Sequence, residues 1–255
     1  FTRTASAKVG LTDGSRIVTR LVIAADGRDS PMRTAAGIEV STRRYGQKAL
    51  AFAVTHPIPH EHVSTEIHRT GGPFTLVPLP DRDGVPSSAI VWMDDGPKTQ
   101  ERAAMDVPAF EAAMSERSCH ILGPLTLASP RNVWPIISQH ADRLSGERIA
   151  LIAEAAHVLP PIGAQGLNMS LQDLATLLTL AQTHREELGN AAMLDAYHSA
   201  RYRDVQLRIN GIDLLNRVSQ ASNPMARDLR AKGLDALYAM APVRKLLMQM
   251  GLGVR

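Results

Sequence analysis

The sequence holds a single cysteine, Cys119, in 255 residues. It therefore forms no disulfide within the chain and no cysteine-based zinc site, and it suits a reducing, cytoplasmic setting. Aromatic residues make up only 4% and the net charge is only +3. A nucleic-acid footprint would need local basic clusters interleaved with aromatics, and none is present. No apolar run approaches the roughly 20 residues of a membrane-spanning helix, and no basic-then-apolar leader opens the text. His56, His60, His62 and His68 lack acidic residues at ligand spacing, so no metal site is expected. Ser30, Ser138 and Ser170 have no nucleophile-elbow context, which disfavours hydrolase chemistry. Redox work in such a chain needs a group that its side chains do not supply.

What is present is an ordinary globular composition, 44% hydrophobic and 21% charged, long enough for one large domain or two small ones. Thr4 to Val9 and Ser15 to Val18 flank a Thr12-Asp13-Gly14-Ser15 turn and read as a hairpin. Leu21 to Ala25 is a continuous apolar run, expected to be a strand buried on both faces. Between Gly46 and Asp94 four β-rich runs, Ala49–Val54, Val63–His68, Phe74–Pro78 and Ala89–Met93, suggest a mostly antiparallel sheet. Asp106 with Pro108 opens a helix through about His120. Arg131–Ile137 and the apolar Ile149–Ala153 read as further strands. Leu167–Gln182 is helical, with Leu171, Leu174, Leu177, Leu178 and Ala181 expected on one packed face. One or two long helices follow over Ala191–Ser219, and Met225–Met250 is helical too. The order of elements predicts a mixed α and β architecture.

Two segments carry chemistry. Ala25-Asp26-Gly27-Arg28-Asp29-Ser30-Pro31-Met32-Arg33 leaves the first apolar strand, where ligands of open α/β sheets collect. Asp26 could accept from a ligand hydroxyl, Gly27 permits close backbone approach, and Ser30 and Arg33 could meet phosphate oxygens. The plainer alternative is a strand-to-helix turn capped by Asp29 or Ser30. Glu154 to Asn168 leaves the second apolar strand and enters an amphipathic helix. Glu154 could accept from a polyol, Pro160 and Pro161 stiffen the loop, and the amides at Gly166, Leu167 and Asn168 favour negative charge on a ring or phosphate. The alternative here is a Pro/Gly connector with a satisfied His157.

Together, Asp26-Gly27-x-x-Ser30-x-x-Arg33 and, about 120 residues on, Ala153-Glu154-Ala155-Ala156-His157, Pro161, Gln165-Gly166-Leu167-Asn168 and Asp173 resemble two downstream fingerprints of the class A flavoprotein monooxygenases. Pro160-Pro161-Ile162, Trp92 and the Leu-rich tail ending Lys245 to Gly251 are most similar to the ubiquinone-biosynthesis hydroxylases in that superfamily. The resemblance implies an α+β, para-hydroxybenzoate-hydroxylase-like FAD-binding fold. It implies residues 1–45 and 130–185 as the remainder of the FAD-binding domain, 46–129 as a β-sheet substrate domain and 186–255 as a C-terminal helical region. FAD would be held by Asp26, Gly27, Ser30, Arg33, Glu154, Gly163, Gln165, Gly166, Leu167 and Asn168; the catalytic set would be Pro160 and Pro161, one of them beside the reacting edge, and His157, which would orient flavin or substrate or else serve the structure.

The chemistry so implied is reduction of the flavin by NAD(P)H, oxygen addition at flavin C4a, and oxygen transfer to an electron-rich phenol. The implied substrate is polyprenylated. Homo-oligomerisation, other ubiquinone-biosynthesis proteins and peripheral contact with the inner membrane are the partner expectations, with the Leu229–Arg255 tail as a candidate surface or a core-covering helix. Family members begin with a strand, a Gly-x-Gly-x-x-Gly turn and a helix for the ADP moiety, and no such motif occurs here. The chain is thus expected to be a fragment that binds flavin weakly by itself. Two departures stand out: Ala153-Glu154 replaces the family's Gly-Asp, and Gly163-Ala164 replaces its Ala-Gly. The rival readings are another class A flavoprotein and a non-catalytic assembly subunit derived from one.

Overall fold

The fold is described from a computed structural model, in which residues 2–3, 5–69, 71–163, 165–220 and 240 are described. The expected helical tail and Ala164 lie outside these residues. In chain order the strands and helices begin with β1 (Thr2–Arg3), β2 (Ala7–Gly10), β3 (Arg16–Thr19), β4 (Val22–Ala24), α1 (Pro31–Ala35) and β5 (Val40–Thr55). There follow β6 (Thr65–Arg69), β7 (Gly72–Arg82), β8 (Val85–Asp95), α2 (Gly96–Ala104), α3 (Val107–Arg117), β9 (Thr126–Leu127) and β10 (Asn132–Ala141). The series closes with β11 (Ser145–Gly146), β12 (Ile149–Leu151), β13 (His157–Val158), α4 (Gln165–Thr183) and α5 (Ala191–Gln220).

The chain forms two compact units. One takes in the described residues up to Arg43 together with Ile137–Leu214; the other takes in Arg44–Ile136 and the rest of α5. Helix α5 is thus shared between the units, up to Leu214 in the first and beyond it in the second.

In the second unit β8 lies antiparallel between β5 and β7, and β6 pairs the far side of β7. Alternation explains its core: Leu50, Phe52 and Val54 of β5 face inward with Phe74, Leu76, Ile90 and Trp92 of the neighbouring strands. They pack on Phe110 and Met114 of α3, with Phe52 edge-on to Phe110 at 5.1 Å and Phe74 edge-on to Trp92 at 5.3 Å. Asp106 caps α3 by accepting from the Ala109 amide at 2.8 Å. Helix α2 is not announced by the sequence pattern, because Gly96-Pro97 reads as punctuation after a strand. Proline in a first turn, where the missing N–H is no loss, is what starts it.

In the first unit β1, β2 and β3 form the hairpin sheet, and β4 pairs in parallel with β12, which β11 joins from the other side. All of β12 is buried, and Ile149, Ala150 and Leu151 pack on Leu144, Met193 and Tyr197. The Tyr197 hydroxyl donates to the Leu151 carbonyl at 2.7 Å, and burial pushes that phenol well above its ordinary range. Two expectations are corrected. Among the described residues strand β4 pairs with β12 alone and its Ile23 is 47% exposed, so here it is not buried on both faces. On α4 only Leu177 of the leucine face is buried. Leu171, Leu174 and Leu178 are exposed, and the inward face is Met169, Asp173 and Leu177. A buried carboxylate with charged partners took the side that hydrophobicity alone assigns to leucine.

Candidate flavin site

Parallel pairing of β4 with β12 aligns Ala24 with Leu151, so both apolar strands end side by side. The two motifs, remote in sequence, therefore leave neighbouring strand ends. This is the crevice geometry in which doubly wound sheets bind ligands.

The first motif folds as a capped turn. Gly27 adopts φ +87°, a left-handed conformation that glycine tolerates without strain. Ser30 is the N-cap of α1, accepting from the Arg33 amide at 2.9 Å, while its hydroxyl donates to Asp26 at 2.5 Å. Asp26 also accepts from the Met32 amide at 3.0 Å. Asp26 remains at the surface, but Ser30 and Arg33 are buried. The Arg33 guanidinium donates to the carbonyls of Ala155 and Arg28, each at 2.9 Å. It ties the first motif to the second, so its donors point into the protein. Gln139 adds a third tie to the Arg28 carbonyl at 3.0 Å.

In the second motif Ala153–Ala155 forms one 3₁₀ turn after β12. Ala153 has φ +53°, at the position where the related fingerprint has glycine. An L side chain there costs about 1–2 kcal/mol. Its amide is held by Asp173 at 3.2 Å. Glu154 projects outward, its side chain 54% exposed and 3.5 Å from Arg28 Nε. His157 lies the other way. Its side chain is 1% exposed, and its Nε2 donates to Asp173 at 2.6 Å. Pro160 is buried and Pro161 exposed, so the proline pair anchors the loop on one side and presents it on the other. Gly163, at φ +66°, turns the chain into α4. At Gly166 a Cβ would meet nothing within 4 Å. Leu167 is 69% exposed, and the first turn of α4 contains no acidic residue.

Sequence reasoning gave no role to several residues that build this site. Arg28 pairs with Glu154. Asp173, fully buried, gathers His157, the Ala153 amide and Arg201 Nε at 2.8 Å. Burial works against the charge of Arg201, yet the hydrogen bonds and charges of Asp173 and Asp204 outweigh it and raise its pKa. Asp173 was visible as part of a motif. Arg201 had no local signal, because its partner is 28 residues away on another helix.

The sequence pattern of the FAD binding domain family matches residues 2–209. The chain belongs to that family. Among curated relatives it is 32% identical over 246 residues to ubiquinone hydroxylase UbiL of Rhodospirillum rubrum, covering 95% of this chain and 56% of that protein. It is 25% identical to 3-demethoxyubiquinol 3-hydroxylase of Escherichia coli over 96% of this chain and 62% of that protein. The chain thus spans little more than half the length of these relatives. Among solved structures, Klebsiella pneumoniae HpxO complexed with FAD and uric acid superposes with a TM-score of 0.75 at 18% identity, over 98% of this chain and 64% of that one. That likeness establishes the para-hydroxybenzoate-hydroxylase-like fold.

The residues present fit an FAD. The exposed carboxylate of Glu154 and that of Asp26 suit hydroxyl donors, and the open backbone at Gly166 admits a flat ring against a helix N-terminus. Among the described residues no group of His, Cys, Asp and Glu could hold a metal ion, and no helix is long and apolar enough to cross a membrane.

Proposed function

We propose that this chain is part of an FAD-dependent aromatic hydroxylase of the ubiquinone-biosynthesis type, using NAD(P)H and O2 on an electron-rich phenol that carries a polyprenyl chain. The observation that carries the proposal is the convergence of the Asp26–Arg33 and Glu154–Asn168 segments at the ends of two paired parallel strands. The names of the curated relatives support the substrate class.

FAD supplies the electron transfer and oxygen activation when bound; the chain supplies place and field. Glu154 and Asp26 accept from the sugar-like part of the cofactor, and Gly27 keeps the backbone low beside it. The amides of Gln165 to Asn168 stabilise negative charge on the ring. Pro160 and Pro161 hold the loop stiff against the reacting edge and help to exclude water. His157, enclosed and bonded to Asp173, orients this loop from behind. Ser30 and Arg33 act by joining the two motifs rather than by touching phosphate. The protein acts without a membrane-spanning segment in the described region and meets its lipid-like substrate at the membrane surface, alone or with other proteins of the same pathway.

The test is product analysis with the full-length protein, a prenylated phenol, NAD(P)H and ¹⁸O₂. The proposal expects one labelled oxygen on the ring. NAD(P)H consumption without any ring hydroxylation, in a protein that holds FAD, would instead favour a different flavoprotein reaction. A full-length protein that folds without FAD would favour an assembly role.

A further inference from the structure

Helix α5 presents Arg201, Asp204 and Arg208 on one face. Arg201 Nη1 donates to Asp204 at 2.8 Å, and Arg208 Nε reaches both oxygens of Asp204 at 3.1 Å. Each end of this ladder grips the loop that precedes α4. At one end Arg201 Nε holds Asp173, which holds His157 and the Ala153 amide. At the other, Arg208 Nη1 donates to Gln165 Oε1 at 2.8 Å, and the Gln165 amide donates on to the Gly163 carbonyl at 3.2 Å. Side-chain exposure is 6% for Arg201 and 11% for Arg208, so both guanidinium groups work largely out of water.

We propose that Arg208 is a positioning residue for FAD, fixing the first turn of α4 through Gln165; this rests on the flavin reading above. Two guanidinium groups face two carboxylates, so the ladder adds little net charge. Its influence is geometric: it sets where the first-turn amides of α4 point. Arg208 meets Asp204 with Nε and Gln165 with Nη1, a two-direction grip that a lysine ammonium on a flexible stem does not reproduce. Without it Gln165 loses the bond that ties it to α5, and the first turn of α4 loses that restraint.

The experiment uses the full-length protein and four variants: Arg208→Met, Arg208→Lys, Gln165→Met, and the Arg208→Met/Gln165→Met double. FAD dissociation constants are measured by fluorescence quenching, and amide exchange over residues 163–168 is followed in the FAD-free protein. Arg208→Met and Gln165→Met should each weaken FAD binding about five- to tenfold, with the double no weaker than either single. Arg208→Lys should restore little, and exchange at the first turn of α4 should quicken in Arg208→Met. An affinity within about twofold of wild type for Arg208→Met, or single effects that multiply in the double, would overturn the proposal. If the wild type binds no FAD, the flavin reading fails. The exchange data then still decide whether Arg208 orders this turn, and unchanged exchange overturns the positioning role by itself.

Discussion

Replacing Asp173 by alanine isolates the charge cluster behind the flavin loop. Asp173 is fully buried and accepts from His157 at 2.6 Å, from Arg201 at 2.8 Å and from the Ala153 amide at 3.2 Å. The variant leaves three donors facing a void. Arg201 keeps Asp204 and the Gln172 side chain, so its charge is only partly uncompensated. Breaking a buried pair by removing one partner costs about 3–5 kcal/mol, which for a domain of this size lowers Tm by roughly 6–20 °C. Asp173→Asn keeps the shape but supplies only one good acceptor, and should fall between alanine and wild type. The decisive comparison is Asp173→Leu with Arg201→Met in one protein. Removing both charges and filling the space with apolar atoms should recover most of the loss. Thermal and urea unfolding of the full-length protein, followed by circular dichroism, measures all of them. The reasoning is refuted if Asp173→Ala costs under about 1 kcal/mol, or if the double variant is as unstable as the sum of its single variants.

Glu154→Ala should weaken FAD binding by about 1.5–3 kcal/mol, the worth of a hydrogen bond to a charged group, with Tm nearly unchanged because that side chain is half exposed; calorimetric titration checks both. Gly166→Val places its Cβ where the chain has nothing within 4 Å, so it should disturb flavin reduction far more than folding, and wild-type reduction kinetics would mean that α4 points elsewhere. Ala153→Gly relieves left-handed strain of about 1–2 kcal/mol against about 0.4–1 kcal/mol of added unfolded-chain freedom. Chemical unfolding should therefore show a net gain in stability, and a net loss would show that Ala153 is not strained. Burial holds His56, His140 and His198 below the ordinary imidazole value of 6.5. Below about pH 6.5 the unfolded chain binds more protons at these sites than the folded one, so stability is full above that pH and declines as pH falls. Tm should be lower at pH 5.5 than at pH 7.5, and His56→Gln, which can still meet Ser88, should narrow the gap.

Local patterns made the strands of the β-sheet unit legible, because Leu50, Phe52 and Val54 alternate and only one face is buried. The two motifs were legible as chemistry through their joint order and spacing, since glycine, proline and acidic residues at a single strand end also suit an ordinary turn. What the sequence hid was direction. Ser30 and Arg33 are residue types that bind phosphate, and only the fold shows their donors facing Arg28 and Ala155. The leucines of α4 form a periodic stripe, but periodicity does not say which stripe a helix buries, and Asp173 with its distant partner Arg201 decided it. Pairings such as Arg208 with Gln165 span 43 residues and leave no local trace.

The central claim, that the ends of β4 and β12 bind a flavin, is tested most directly by titrating FAD into the FAD-free full-length protein while recording visible absorbance and flavin fluorescence. The account predicts saturable binding of one FAD per chain, weakened by Glu154→Ala and left nearly unchanged by an exposed substitution in the other unit such as Val85→Thr. No saturable binding, or binding that Glu154→Ala leaves at wild-type strength, contradicts it.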